Sequence, residues 1–396
     1  MLPYGRQQID DDDIAAVVEA LKNDWLTSGP KVAAFEDALA EKVGAAHAVS
    51  CSSGTAGLHL AAVAVGLGPG DRAVVPSLTF LATANAARHA GAEVVFADVD
   101  PDTGLMRPND LEAALERAGG PVRAVLPVHL NGQCVDIPET LSVAARHGAS
   151  VIFDAAHAIG AAYRDGNETL AVGNGRHGVA SVFSFHPVKT ICMGEGGAVT
   201  TDDDALAERL RRFRNHGISR DPATFENADL AFDAAGVANP WYYEMAAPGF
   251  NYRASDLHCA LGLSQLAKLD GRVARRARLA ALYDQALAPL APLVRPVARA
   301  PDCDPAWHLY VALIDFESAG IERAAVMARR RDAGIATMVH YLPLHLQPYY
   351  RREGQADLPG AVAYYRRALT LPLFPAMADA DVTRVVDALA TALRPG

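Results

Sequence analysis

The stretch Ser181-Val-Phe-Ser-Phe-His-Pro-Val-Lys-Thr-Ile-Cys-Met-Gly-Glu-Gly-Gly197 joins an apolar run to a cluster of glycines. The apolar run predicts a buried strand that ends at Ser184, after which Pro187 turns the chain and delivers Lys189. A second short strand is expected at 198–201. A lysine on a loop beside a strand end can be desolvated and held neutral, and a neutral amine forms an imine with a carbonyl. Taken alone, the pattern also fits a surface lysine, because most lysines are exposed.

The composition is that of a soluble globular enzyme. The chain has 396 residues, of which 51% are hydrophobic and 21% charged, enough for two domains. A net charge of −10 argues against nucleic acid as a partner, since phosphate binding needs a basic surface. The five cysteines are scattered and include no CxxC spacing, the N-terminus is acidic, and no apolar run approaches ~20 residues. We therefore expect a cytoplasmic protein with reduced thiols and no membrane partner.

Short apolar runs alternate with helical patterns through the first half of the chain. The runs are continuous, as in parallel strands that are covered on both faces, and the alternation predicts a doubly wound α/β sheet. Ligands should then bind at the carboxyl ends of the strands. The expected strands are 47–51, 73–76, 93–98, 123–129, 150–154 and 179–185.

The second half of the chain is less regular. The segment 215–250 is rich in Asp, Asn, Ala, Gly and Pro and is expected to form a lid or an interface arm. A long helical pattern follows at 255–287. We expect a large α/β domain at 1–254 and a smaller C-terminal α+β domain at 255–396 that begins with a long linking helix.

Two further groups of residues stand at predicted strand ends. Asp154 follows a buried run, and a buried aspartate needs a cationic partner, which a protonated heterocyclic nitrogen could provide. Asp154 could instead cap the next helix, and His157 could be a core residue or a ligand contact. The small residues Ser52-Ser-Gly-Thr55 precede a helix and could bind an anion.

The order of these groups along the chain favours one cofactor. An anion site, a strand-end aspartate and a later lysine suggest pyridoxal phosphate (PLP), with the lysine acting as acid and base. The chain has no GxGxxG after a strand and no GxxxxGK[ST], which lowers the case for a dinucleotide or P-loop site. His340 and His345 lack zinc-site spacing, so no metal is expected.

Several motifs in sequence order resemble the DegT/DnrJ family of PLP-dependent sugar aminotransferases across essentially the whole chain. The resemblance implies a fold type I PLP-dependent transferase, with a mostly parallel central sheet flanked by helices and a smaller C-terminal α+β domain. The motifs are Asp154-Ala-Ala-His157, Ser184-Phe-His-Pro-Val-Lys189, Gly194-Glu-Gly-Gly197, Gly249-Phe-Asn-Tyr-Arg253 and Ala260-Leu-Gly-Leu-Ser-Gln265.

The resemblance also implies roles for single residues. Lys189 resembles the Schiff-base lysine, Asp154 the partner of the pyridine nitrogen, and His157 and Phe80 residues close to the ring. Asn251 resembles the asparagine that reaches the phosphate of the neighbouring subunit, which implies a homodimer with shared active sites. Ser53, Gly54, Thr55 and Ser184 resemble the phosphate contacts, although the family's Asn-Ser-Ala-Thr loop reads Ser52-Ser-Gly-Thr55 here. The residues that resemble the lining of the sugar-nucleotide site are Tyr4, Asp24, Trp25, Leu26, Thr27, His340, Tyr341, Leu342 and Pro343.

Within the family, Pro3-Tyr-Gly-Arg6, Leu26-Thr-Ser-Gly29, Trp241-Tyr-Tyr-Glu244 and His340-Tyr-Leu-Pro343 resemble the branch that serves pseudaminic acid synthesis. That branch implies transfer of the amino group of L-glutamate, through the pyridoxamine phosphate form, to C4 of a UDP-linked 4-keto-6-deoxy-N-acetyl-hexosamine. The product would be UDP-4-amino-4,6-dideoxy-N-acetyl-β-L-altrosamine.

Other functions are weighed against this one. The nearest alternative is another nucleotide-sugar aminotransferase of the family, such as a GDP-perosamine synthase. A family dehydratase would carry histidine in place of Lys189, and a non-catalytic sugar-binding regulator would be expected to lack Lys189 or Asp154. A Schiff-base aldolase outside the family would be expected to form a barrel with different ligand placement.

Overall fold

A seven-stranded sheet lies at the centre of the molecule in the computed structural model, which describes residues 1–176, 178–352 and 357–394. The strand Gly197–Thr201 (β9) runs antiparallel to both of its neighbours, His47–Cys51 (β1) and Ala180–Ser184 (β8), and the other neighbouring pairs are parallel. The mostly parallel sheet predicted from the sequence is therefore confirmed. In spatial order the strands are β1 (His47–Cys51), β9 (Gly197–Thr201), β8 (Ala180–Ser184), β5 (Ser150–Asp154), β4 (Ala124–Val125), β2 (Arg72–Pro76) and β3 (Glu93–Ala97).

Helices cover this sheet, so its strands are buried on both faces and read as continuous apolar runs. Their starts follow local chemistry: Ser53, Asp136 and Asp203 each accept a hydrogen bond from a first-turn N–H, and Pro108 opens its helix at N1. The α/β fold class is thereby confirmed. These helices are α3 (Gly54–Ala64), α4 (Leu81–His89), α5 (Pro108–Arg117), α6 (Ile137–Arg146) and α7 (Asp204–Arg214).

Three helices pack together beside the sheet: α1 (Asp11–Lys22), α2 (Pro30–Val43) and α9 (Asp256–Leu266). Asp10 and Asp13 form a capping box at the start of α1. The helical pattern at 255–287 is divided in the structure into α9 and α10 (Leu269–Leu287). The helix breaks where Lys268 reaches back to bind Asp10 and Asp13, a tertiary contact that periodicity does not reveal.

The C-terminal part has an α+β arrangement. Its antiparallel sheet contains β12 (Val294–Pro296), β14 (Tyr310–Ile314) and β15 (Ala368–Leu371), and α10 packs on the terminal helix α14 (Asp379–Ala392). The expected division into 1–254 and 255–396 stays a prediction. The other helices here are α11 (Arg323–Asp332), α12 (Pro348–Arg351) and α13 (Pro359–Arg367).

Two peripheral regions complete the fold. A hairpin of β6 (Ala162–Asp165) and β7 (Glu168–Ala171), which the sequence analysis missed, pairs with β13 (Cys303–Asp304). Segment 215–250, here called the arm, contains little regular structure beyond β10 (Ile218–Ser219), α8 (Ala228–Ala231) and β11 (Glu244–Met245). Within the described ranges, no helix is both long and apolar enough to span a membrane.

Candidate active site

The predicted chemical groups meet at one edge of the sheet. β1, β2, β5 and β8 point the same way, so their carboxyl ends lie at one edge. Asp154 and Ser184 are the last residues of β5 and β8, and Ser53 and Phe80 lie in the turns after β1 and β2. β9 runs in the opposite direction and starts at this same edge. Its first residue, Gly197, pairs with both Cys51 and Ser184. This edge is where a doubly wound sheet binds its ligands.

Asp154 is buried, with 5% of its surface exposed. Its carboxylate accepts hydrogen bonds from the Thr83 hydroxyl at 2.7 Å and from the Ala156 backbone N–H at 3.1 Å. Burial raises the pKa of Asp154, and these hydrogen bonds and the charge of Lys189 oppose that effect. The carboxylate is thus oriented by neutral groups and can still take a cationic partner.

Lys189 is delivered by a tight turn in the loop between β8 and β9. Its backbone N–H donates to the His186 carbonyl at 2.8 Å, across Pro187 and Val188. Burial lowers the pKa of the Lys189 amine from 10.5 to about 8, and the charge of Asp154 partly opposes this shift. A large fraction of the amine is therefore neutral at a pH near 8, as nucleophilic and acid–base lysines require.

A cluster of histidine and tyrosine side chains surrounds the amine. The Tyr341 hydroxyl lies 3.2 Å from His157 Nε2, and the rings of His157 and His308 are 4.3 Å apart. Burial is the main cause that lowers the pKa of His157 and His308 well below the ordinary value and that of His340 to about 4, and the charge of Lys189 adds to each shift. These histidines are neutral at physiological pH and can serve as hydrogen-bonding groups rather than as cations.

The anion site is narrow because two glycines bring its walls together. A side chain on Gly54 would place its Cβ 2.7 Å from the Cβ of Ser184, and one on Gly197 would place it 2.5 Å from the Ser53 carbonyl carbon. The Ser53 hydroxyl caps α3 by accepting from the Ala56 N–H at 3.1 Å. Ser184 therefore lies directly against the N-terminus of α3, a position that favours a phosphate group.

The lysine loop is tied to distant helices through Gln265. The fully buried Gln265 side chain accepts from the Cys192 N–H at 3.3 Å and from Arg272 at 2.6 Å. Its amide nitrogen donates to Asp13 at 2.6 Å and to the Gln8 carbonyl at 3.0 Å. Cys192 lies three residues after Lys189, so this network holds the end of the loop that presents the amine.

Most of the remaining predicted residues lie near this cluster. The Tyr4 and His340 rings are 5.4 Å apart, and the Phe80 and Tyr341 rings are 5.9 Å apart. Phe80 is 53% exposed, as a residue that covers a ligand would be. Leu342 is partly exposed and Pro343 is buried, and the segment after them is fixed by the Leu344 N–H, which donates to the Ser77 carbonyl.

The other predicted residues lie elsewhere. Residues 24–27 are exposed and lie against the start of α9, where Thr27 pairs with Ser255 and the Asp256 N–H donates to the Leu26 carbonyl. Thr55 is exposed at the start of α3, and Asn251 is exposed and pairs with Asn215. The roles of these residues stay predictions.

Four residues had no role predicted from the sequence. Thr83, which orients Asp154, and His308, whose ring is tilted 48° to that of His157, were not named. Gln265, which anchors the lysine loop, and Glu244, which accepts from two arm N–H groups, were named only within motifs. Thr83 falls one helical turn after Phe80, a spacing that could have identified it. His308 has no such spacing, because it comes from the C-terminal part.

The residues at this edge of the sheet have the chemistry that PLP binding requires. Asp154 is a buried carboxylate with neutral hydrogen-bond partners, His157 has a buried Nδ1 without a hydrogen-bond partner in the described residues, and the cleft between Gly54 and Ser184 suits a phosphate. When bound, PLP supplies an electron sink for the carbon that loses a proton. Within the same described residues, no three His, Cys, Asp or Glu side chains are grouped to hold a metal ion.

Comparison with known proteins identifies the family. The profile of the DegT/DnrJ/EryC1/StrS aminotransferase family matches residues 7–390. The chain belongs to this aminotransferase family. It is 41% identical over 392 residues to the spore coat polysaccharide biosynthesis protein SpsC of Bacillus subtilis (strain 168), covering 98% of this chain and 96% of that protein.

Solved structures of the family agree. Helicobacter pylori PseC, an aminotransferase involved in the biosynthesis of pseudoaminic acid, is 27% identical with a TM-score of 0.87, covering 99% of both chains. The putative sugar aminotransferase Spr1654 of Streptococcus pneumoniae, in its PMP form, is 26% identical with a TM-score of 0.86, covering 99% of both chains. The same protein is also known in a PLP form. This chain is therefore a PLP-dependent sugar aminotransferase with the type I fold.

Proposed function

We propose that this enzyme moves the amino group of L-glutamate to C4 of a UDP-linked 4-keto-6-deoxy-N-acetyl-hexosamine. The product is UDP-4-amino-4,6-dideoxy-N-acetyl-β-L-altrosamine, a precursor of pseudaminic acid. The observation that carries the proposal is the group of Tyr4, His340 and Tyr341 beside Lys189 and Asp154, because it combines the branch-like segments with the reactive groups.

Lys189 is the acid and base of the reaction. Its amine, with a pKa lowered to about 8, takes a proton from the α-carbon of glutamate and returns a proton to C4 of the sugar on the reverse course. A pKa near the working pH lets one group give and take a proton at similar rates. In each half-reaction the neutral amine first takes a proton and the ammonium so formed then returns it, to the cofactor carbon in the first and to C4 of the sugar in the second, so one side chain serves both.

Asp154 keeps the ring nitrogen of the cofactor protonated. The carboxylate is held by Thr83 on one oxygen and by the Ala156 N–H on the other, and its charge is matched by the protonated ring. His157, three residues after Asp154, is hydrogen-bonded to Tyr341 and would contact the ring of the cofactor. Ser53, Gly54, Thr55 and Ser184 bind the phosphate group, and Phe80 covers the ring.

The sugar nucleotide binds against Tyr4 and residues 340–343. Residues 24–27, which lie against the start of α9, provide further contacts to it. Similarity to PseC across 99% of both chains supports a pseudaminic acid precursor as the substrate. The 41% identity to SpsC supports a second candidate, in which the substrate is a different nucleotide-linked keto sugar destined for a surface polysaccharide. Both candidates share the amino donor and the chemistry.

The active unit is a homodimer. The arm exposes large apolar side chains, among them Leu230 at 62% and Trp241 at 68%, which a second copy would cover. Asn251, exposed next to the end of the arm, then reaches the phosphate site of the partner subunit. Size-exclusion chromatography with light scattering tests this, and a monomer at micromolar concentration with full activity would contradict it.

Product analysis tests the substrate. The purified enzyme is incubated with L-glutamate and a panel of UDP-, GDP- and TDP-linked 4-keto sugars, and the products are identified by mass spectrometry and NMR. We expect turnover of the UDP-linked N-acetyl sugar at a kcat/KM at least about tenfold above the others, which corresponds to about 1.4 kcal/mol of discrimination. Preference for a sugar without the N-acetyl group would favour the second candidate.

A further inference from the structure

Two cysteines outside the active site lie in contact with each other. Cys134, on the segment before α6, and Cys303, in β13, are both free. The backbone N–H of Cys134 donates to the sulfur of Cys303 at 3.0 Å, and the Cys134 thiol donates to the Ala162 carbonyl at 3.7 Å. Residues 169 positions apart in sequence are thus brought together at the sulfur of Cys303.

Hydrogen bonds between the segments that flank Cys134 and Cys303 hold the two cysteines in place. The Gln133 side chain donates to the Ala298 carbonyl at 3.1 Å and accepts from the Ala300 N–H at 2.9 Å. The Ala306 N–H donates to the Gly132 carbonyl at 3.0 Å. Residues 132–134 and 298–306 are therefore held together by hydrogen bonds on both sides of the two cysteines, which keeps Cys134 and Cys303 next to each other.

The pair is accessible to a small oxidant. Cys134 lines a cavity of about 410 Å³, together with Tyr163, Arg164 and Asp302, and Cys303 is itself partly exposed. Hydrogen bonding by Cys134 lowers the pKa of the Cys303 thiol, against burial and the charge of Asp304, which raise it. Cys303 is accordingly the more nucleophilic of the two thiols.

We propose that Cys134 and Cys303 form a reversible disulfide when the enzyme meets a peroxide. The Cys303 thiolate attacks the peroxide, so that an S–O bond forms, the O–O bond breaks and one oxygen leaves as hydroxide, which becomes water by taking up the proton that Cys303 released on ionising. Cys134 sulfur then attacks the Cys303 sulfenic acid, the S–S bond forms and the S–O bond breaks. The departing hydroxide takes the Cys134 proton and leaves as a second water. The two thiols are oxidised by two electrons, which reduce the peroxide.

The other cysteines provide internal controls. Cys51, Cys192 and Cys259 are buried, and burial raises the pKa of each thiol, to about 12 for Cys51 and Cys259. A neutral buried thiol reacts slowly with peroxide, so these three should stay reduced under conditions that oxidise the pair. Selective loss of two of the five thiols is therefore the expected signature.

The test uses the holoenzyme treated with hydrogen peroxide, quenched, unfolded and alkylated with N-ethylmaleimide. We expect two of the five thiols to escape alkylation, a peptide map with Cys134 joined to Cys303, and recovery of all five after dithiothreitol. Oxidised enzyme should also unfold at a higher urea concentration, because the bond closes a long loop.

Two variants sharpen the result. In Cys303→Ser, Cys134 should remain alkylated after peroxide, whereas Cys192→Ser should still lose the same two thiols. Circular dichroism confirms that each variant is folded before oxidation. Five alkylated thiols after complete oxidation of a small thiol in the same tube would overturn the proposal. So would a cross-link that joins another pair of cysteines or two different chains.

Discussion

The sheet edge that carries Lys189 and the arm at 215–250 are built in opposite ways. At the sheet edge, Asp154, Lys189 and His157 are enclosed, and each feels the charge or hydrogen bond of another. The arm is mostly exposed, and its order comes from a few contacts such as the Glu244 carboxylate, which accepts from the Glu226 and Asn227 N–H groups at 2.7 Å. One chain thus supplies Lys189 and Asp154 in place, whereas the arm presents an exposed surface that a partner or a substrate could cover.

This difference separates chemistry from recognition within one protein. Buried charged groups are costly to move, so their positions are fixed by the sheet and by networks such as that of Gln265. Exposed segments change at little cost in folding free energy. Substitutions at the sheet edge should therefore reduce rate for every substrate, and substitutions in the arm should change which sugar is used.

The largest effect is expected from Lys189→Ala. Without the amine no group takes the proton from glutamate, and turnover should fall at least about 10⁴-fold. Stopped-flow absorbance with glutamate measures the first half-reaction directly, and Lys22→Ala, on the exposed end of α1, is the matched control. Activity above a tenth of wild type would refute the assigned role.

Asp154→Asn should cost less, about 10²- to 10³-fold in kcat. Asparagine still accepts from Thr83, yet it lacks the negative charge that holds a proton on the ring nitrogen. Rates of both half-reactions are compared with those of Asp136→Asn, which alters an exposed aspartate that caps α6. A normal rate in Asp154→Asn would show that the ring nitrogen needs no charge partner.

Gln265→Leu should destabilise the protein by about 3 kcal/mol, because Arg272 and Asp13 lose a buried partner. Urea unfolding followed by circular dichroism measures the change in the free energy of unfolding. Gln347→Leu, at a partly exposed position, should change it by less than about 0.5 kcal/mol. Equal stability of the two variants would show that Gln265 does not hold the lysine loop in place.

Lys189→Met should stabilise the cofactor-free enzyme at pH 7 by about 2 kcal/mol. The pKa of Lys189 is about 8 when folded and 10.5 at its ordinary value, so between these pH values the unfolded chain binds more protons. Wild-type stability should rise with pH through this window, and the advantage of the variant should vanish near pH 10.5. A gap that stays constant from pH 7 to 10.5 would contradict the lowered pKa.

The smallest effect is expected in the arm. Glu244→Ala removes the acceptor for two backbone N–H groups and should raise KM for the sugar nucleotide about fivefold, while the glutamate half-reaction is unchanged. Glu226→Ala is the control, since only the backbone of Glu226 makes this contact. A slower glutamate half-reaction in Glu244→Ala would show that the arm also affects the chemistry at the sheet edge.

The sheet and its strand-end residues were predictable because both depend on local pattern. The strands expected at 47–51 and 150–154 have the same bounds in the structure, as β1 and β5. The strand expected at 123–129 is regular only at Ala124–Val125, because Pro127 has no N–H to continue the ladder. The β6–β7 hairpin was missed although Asp165-Gly166 indicates a tight turn, and Gly166 has φ of +58° there.

The histidine and tyrosine side chains around Lys189 were harder to predict from the sequence. Tyr341 and His308 come from the C-terminal part of the chain, more than a hundred residues after Lys189, and no spacing relates them to it. His340 and Tyr341 were named through the family resemblance, whereas His308 was not named at all. Contacts of this kind arise when elements that are distant in sequence pack together. No periodic pattern in a single sequence reveals them.

The antiparallel strand β9 has one further consequence, for protein engineering. Because β9 pairs with β1 and β8 at once, a shift of one residue in β9 would turn every side chain to the wrong face and would also push a side chain into the Gly197 position. The loop 185–196 is held near its end by the contact of Cys192 with Gln265, so residues 186–191 are the part whose length can change. Inserting or deleting residues there should move the amine relative to a phosphate that stays where it is. Changing the length of this loop is therefore a way to adapt the enzyme to longer or shorter cofactor analogues.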